Sequence, residues 1–153
     1  MLNASSMHIK FKWLSFGSLS LVYATMIMGV YLSSIHKSLS CPDWPLCPNG
    51  LFRLPEQGYI IEYIHRIFVI LAASMIYITA IFAYLKLKNM QRLTILASVL
   101  VTIQILIGAL VVTTKLELMF VSIHLPVGVA LFGITLLTFL FFLRKTSTST
   151  MYK

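Results

Sequence analysis

Four long apolar runs decide what this chain can fold into. They cover about 13–35, 59–85, 93–114 and 118–143. Each is long enough to cross roughly 30 Å of hydrocarbon as a helix rising about 1.5 Å per residue. With 59% of its residues hydrophobic and 10% charged, the chain carries more apolar surface than a soluble domain of 153 residues can hide. The expected fold is therefore all-α and integral to a membrane, a four-transmembrane-helix bundle forming a single domain over 1–153. The first run is too long for the h-region of a signal peptide and lacks a small-residue cleavage pattern after it, so it is expected to be a retained helix.

The net charge of +8 would suggest nucleic acid in a soluble protein, but here its placement is a topology signal. Lys10, Lys12, Lys86, Lys88, Arg92, Arg144, Lys145 and Lys153 fall on the side of the two termini and the middle turn. Lys37, Arg53 and Lys115 fall on the other. This bias predicts a multi-pass protein of the cell membrane with both termini cytoplasmic, no nucleic-acid partner, and an outer loop over 36–58. "KLKNMQR" is then a tight inner turn, and "RKTSTSTMYK" (144–153) a short, disordered polar tail.

A faint two-fold pattern runs through the spans. "MIMGVYLSS" and "ILIGALVVT" each carry a glycine in the outer half of a span, and "EYIHRIFVIL" and "VSIHLPVGVA" each place a histidine near a span's start. Two helical hairpins related by a pseudo-two-fold repeat are expected. Ionisable groups are costly inside a membrane, which draws attention to Glu62, His65, Arg66 and His124. His65 and His124 should lie at matching depth, roughly 9 Å below the outer ends of two spans that run the same way. Facing imidazoles suit haem iron, which needs two axial ligands and whose flat macrocycle fits a slot between helices. A structural zinc site normally wants four protein ligands. Gly29 and Gly108 would leave room for such a plate, although glycine also serves ordinary close packing.

Glu62 precedes His65 by three residues and shares its face, one turn nearer the outer surface. It is either a proton-handling carboxylate beside a bound ligand or an interfacial acid favoured by the helix dipole. Arg66 is placed to pair with Glu62, to contact a haem propionate or to snorkel. His8 and His36 read as surface residues near the ends of the first span. Pro126 is expected to loosen or kink the fourth helix, and Gln104 and Thr102 to act as interhelical glue. In "CPDWPLCPNG" (41–50), Cys41 and Cys47 form either a disulfide that stiffens the loop or a redox-active pair. Trp44 suits an interfacial anchor or a lid.

Together "CPDWPLCPNG", "EYIHR", "IGALVV" and "HLPVGVALFG" resemble the haem A synthase family over about 13–143. The resemblance implies that His65 and His124 are axial ligands of haem iron, Glu62 is the functional carboxylate, and Cys41 and Cys47 are the loop cysteine pair. It also implies oxidation of a haem O methyl group by O2 to the formyl group of haem A, for use in haem–copper oxidases. Members of that family typically have eight helices in two similar halves, the second holding haem B, whereas this chain corresponds to the glutamate-bearing half. A homo-oligomer would restore the full arrangement. An unknown electron donor, and a haem O synthase or terminal oxidase subunit, are the further partners implied. Two other functions fit the residues: a bis-histidine haem carrier or assembly factor without chemistry, and a membrane thiol–disulfide oxidoreductase. The latter usually needs two cysteine pairs.

Overall fold

The computed structural model describes residues 4–41, 43–45, 47 and 56–151. Arg53, Lys153 and the loop residues Pro42, Leu46, Pro48, Asn49 and Gly50 lie outside the described residues. Four helices follow in order: α1 (Ala4–Ser34), α2 (Ile60–Lys86), α3 (Gln91–Thr113) and α4 (Leu118–Met151). All four are long and apolar enough to cross a membrane, and the chain is a multi-pass membrane protein. Helical backbone satisfies its own N–H and C=O groups, which lipid cannot do.

Two helices outrun the apolar segments. α1 begins at Ala4 rather than near residue 13, and α4 continues to Met151, through most of the tail expected to be disordered. Apolarity marks only what lies in hydrocarbon. Once a helix is nucleated, polar residues without Pro or Gly extend it at little cost, because each adds a hydrogen bond. Pro126 lies within α4, which is assigned as one unbroken helix.

α1 packs on α2 and α4, and α3 packs on α4 and α2, so the helices stand at the corners of a square. The interior is made of small and medium side chains: Val22, Ala72, Ala73, Ile76, Ala97, Val101 and Leu131. Bulky residues such as Ile81, Tyr84, Leu85 and Leu118 project outward instead. That inversion fits a lipid environment, where helix association gains little from hiding large apolar groups and depends on close packing. Hydroxyls complete the interior. Ser18 and Thr79 meet at 3.0 Å between α1 and α2, while Thr94 and Thr138 bond back to carbonyls of their own helices. At the end of the bundle near the α2–α3 turn, Phe11 packs on Phe142 with ring centroids 4.7 Å apart, beside Ala83 and Met90.

The connections have identifiable stops. The α2–α3 turn is a single 3₁₀ turn, Lys88–Met90. α1 ends with His36 in the left-handed region at φ 55°, and the Lys37 N–H reaches back to the Leu32 carbonyl at 3.1 Å. This is the Schellman arrangement usually closed by glycine. His36 is thus an exposed helix-stop residue, as its place in the sequence suggested. Lys115 and Leu116 make the tight turn from α3 to α4, also with positive φ.

Candidate functional site

Both intramembrane histidines lie near the start of their helices, His65 in the second turn of α2 and His124 in the second turn of α4. Each ring rests against a glycine of the preceding helix. A Cβ placed on Gly29 of α1 would stand 3.3 Å from His65 Cε1, and one on Gly108 of α3 would stand 3.3 Å from His124 Cε1. The two glycines therefore make room for the imidazoles themselves, which differs from the expected space for a flat ligand. The physical reason is local: an imidazole standing between paired helices needs a position without a side chain opposite it.

The two rings have different neighbours. The Thr25 backbone lies beside His65. The amide nitrogen of Gln104 lies 3.2 Å from His124 Nε2 and 3.0 Å from the His124 carbonyl oxygen. The Nδ1 atoms of both histidines and Oε1 of Gln104 are buried without a partner. Such orphaned polar atoms are costly, and a ligand that uses them offsets that cost. His65 and His124 are also near enough to influence each other electrostatically. Among the described residues no group of three or more His, Cys, Asp or Glu is placed to hold a metal ion. Two imidazoles, one nitrogen from each, are a donor set that fits haem iron, which takes its remaining ligands from the macrocycle.

Glu62 and Arg66 sit one turn apart on α2 and build a second feature. Glu62 is only 2% exposed, and its Oε1 pairs with Arg66 Nη2 at 2.5 Å. Its other oxygen accepts from the Cys41 backbone N–H at 2.7 Å and from Ser40 Oγ at 3.0 Å. Arg66 donates to the carbonyls of Asp43 at 2.5 Å, Pro45 at 3.3 Å and Cys41 at 3.3 Å. A guanidinium offers five donors in a fixed fork, so one side chain can gather carbonyls that a short loop leaves without partners. In this state Glu62 and Arg66 fasten the loop between α1 and α2 to α2, with the carboxylate fully engaged.

A disulfide joins Cys41 and Cys47, both buried. Trp44, between them, is 45% exposed and follows neither cysteine inward. Replacing both cysteines with serine is expected to lower stability by about 2 kcal/mol, the loop-closure value for so small a ring. The measurement is a thermal melt in detergent, with and without reductant. An unchanged melt, insensitive to reductant, would show that the Glu62–Arg66 contacts alone fix the loop.

The sequence singled out the histidines, the carboxylate, the arginine and the cysteines, and read Gln104 as interhelical glue, which its bonds from α3 to His124 of α4 bear out without the sequence naming that partner. Its signal was available: Gln104 stands four residues before Gly108, on the same face of α3. His8 lies beside the Phe142 ring, with centroids 5.6 Å apart. It takes no part in this site.

Comparison with known proteins adds a separate line of observation. The profile of the family described as cytochrome oxidase assembly protein matches residues 54–152, a stretch that contains Glu62, His65, Arg66, Gln104 and His124. The haem A synthase of Lysinibacillus sphaericus is 29% identical over 137 residues, covering 82% of this chain and 42% of that one. The haem A synthase of Alkalihalophilus pseudofirmus is 32% identical over 127 residues, covering 79% and 43%. A protoheme IX farnesyltransferase of Halobacterium salinarum is 25% identical over 114 residues, covering 73% and 26%. The chain spans about two fifths of the length of the haem A synthases it matches.

Proposed function

The chain belongs to the cytochrome oxidase assembly protein family, that of the haem A synthases, and on that premise we propose that it binds haem O between His65 and His124 and oxidises a ring methyl group to the formyl group of haem A. The observation that carries this reading is the pair of buried imidazoles, one from α2 and one from α4, each seated on a glycine of the preceding helix. When bound, the haem iron supplies the redox chemistry and the chain supplies position. His65 and His124 hold the macrocycle from two helices, and the apolar bundle around them excludes water. Each hydroxylation of the methyl carbon takes one O2, two electrons from an external donor and two protons, and releases one water. The second hydroxylation gives a geminal diol, which loses water to form the aldehyde. Glu62, one turn from His65, is the carboxylate nearest in sequence for moving protons there once it lets go of the loop.

The bias of basic residues supports a topology with both termini in the cytoplasm and the Cys41–Cys47 loop on the opposite side of the membrane. A second copy of the chain would supply the other four helices of an eight-helix arrangement. An electron donor, and a haem O synthase or terminal oxidase subunit, are the further partners this reading implies.

One observation favours a second reading, a haem carrier in oxidase assembly. Glu62 is fully occupied by Arg66, Ser40 and Cys41, as expected of a structural carboxylate. Haem extracted from protein produced in a host that supplies haem O decides between the two by mass. Hydroxymethyl or formyl haem is the result expected for the enzyme, and Glu62→Gln should stop its formation while haem stays bound. Only unmodified haem after that supply would reject the enzyme and leave the carrier.

A further inference from the structure

The two imidazoles present their lone pairs unequally. The amide of Gln104 lies between two groups on α4, the ring Nε2 and the backbone carbonyl of His124. A carbonyl only accepts, so the NH₂ end of the amide must face it, and that fixes which way the amide points. The same nitrogen then donates to His124 Nε2, so Nε2 carries the lone pair and the ring proton sits on Nδ1. Gly128 makes this approach possible, because a Cβ there would stand 3.0 Å from the Gln104 amide nitrogen.

His65 is arranged the other way. Its buried Nδ1 has no hydrogen-bond partner, and among the described residues no N–H donor stands against its ring as Gln104 does against that of His124, so its lone pair is held by no donor.

A neutral imidazole has a single in-plane lone pair, which an N–H donor and a metal cannot share. We infer that the two histidines take haem iron in a fixed order: His65 ligates first through its free lone pair, and His124 follows only when Gln104 gives up the one it holds. Gln104 is thus a positioning residue. It keeps His124 in the tautomer whose Nε2 can coordinate, and delays that coordination until haem is already in place. The inference rests on the haem-binding reading above.

Stopped-flow mixing of the haem-free protein in detergent with ferric haem B tests it, read by absorbance. The wild-type chain is expected to pass through a five-coordinate high-spin species before the low-spin one. His124→Ala should halt at the first species, and His65→Ala should not form it in the fast phase. Gln104→Leu should accelerate the second phase about 2- to 10-fold, the factor that one net hydrogen bond represents, with the first phase unchanged. Gly128→Ala, which crowds the amide off the ring, should act in the same direction and serves as an independent variant if Gln104→Leu folds poorly. A second phase unchanged in both variants, or a fast first phase surviving in His65→Ala, would overturn the order while haem binding stands. A wild-type chain that takes up no haem would overturn both.

Discussion

His65→Ala or His124→Ala is expected to abolish the low-spin, bis-imidazole spectrum of the haem-loaded protein, whereas His8→Ala and His36→Asn should leave it intact. Each ring has a glycine seat on the neighbouring helix, His124 is also held by Gln104, and among the described residues no other imidazole shares the site. Alanine leaves a gap beside Gly29 or Gly108 with no nitrogen donor in it. The affected iron becomes five-coordinate, and affinity should fall by more than the ~10–100-fold that losing an outer-shell partner costs a metal site. Asparagine at position 36 keeps a residue that tolerates positive φ, so the end of α1 is unharmed. Reduced-minus-oxidised spectra and haem titrations measure the effect, and added imidazole should restore the low-spin signal by filling the gap. A low-spin spectrum persisting in both alanine variants would remove these residues as ligands.

The largest loss of stability is expected from Arg66→Ala. Its removal leaves the Glu62 carboxylate buried without a countercharge and takes donors from the carbonyls of Cys41, Asp43 and Pro45. Breaking a buried ion pair on one side costs about 3–5 kcal/mol, more than the disulfide contributes, because the surviving charge stays in a low-dielectric setting. Arg66→Lys should recover part of this, since an ammonium keeps the charge but cannot reach the carboxylate and three carbonyls together. Glu62→Leu combined with Arg66→Leu should also lie closer to wild type than Arg66→Ala, as no unpaired charge remains. Denaturation in detergent followed by circular dichroism gives the order of stability, and limited proteolysis of the α1–α2 loop reports its release. An Arg66→Ala variant with wild-type stability and a protected loop would mean that other contacts fix it.

Much of the site was legible because intramembrane polarity is expensive. Four ionisable residues in otherwise apolar runs are conspicuous whatever the details of packing, and Glu62, His65, Arg66 and His124 stood out for that reason alone. The roles of two of them were less so. Glu62 and Arg66 can pair at a spacing of four on any helix, yet only the return of the loop over α2 shows their remaining bonds going to Ser40, Cys41, Asp43 and Pro45. Gly29 and Gly108 were noticed, but as space for a plate. Their actual neighbours are imidazole rings, a fact of helix rotation that composition does not encode. Gln104 illustrates the limit most clearly. An amide in a membrane helix has many available partners, and the choice of His124 depends on Gly128 exposing a carbonyl on the facing helix.

The sequence by itself determined four helices long and apolar enough to span, their order, and the place of each histidine near the start of its helix. These follow from one-dimensional quantities: apolar length against hydrocarbon thickness, and rise per residue. Helix ends were less well determined, as α1 and α4 show, because helical hydrogen bonding does not stop where lipid does. Only the tertiary structure decided which faces meet. It set each imidazole on a glycine, gave one lone pair to an amide and left the other free, and tied the carboxylate to the disulfide loop. Those outcomes depend on helix rotation and register, which in lipid are fixed by close packing and a few polar contacts, and a linear pattern of apolar residues does not specify them.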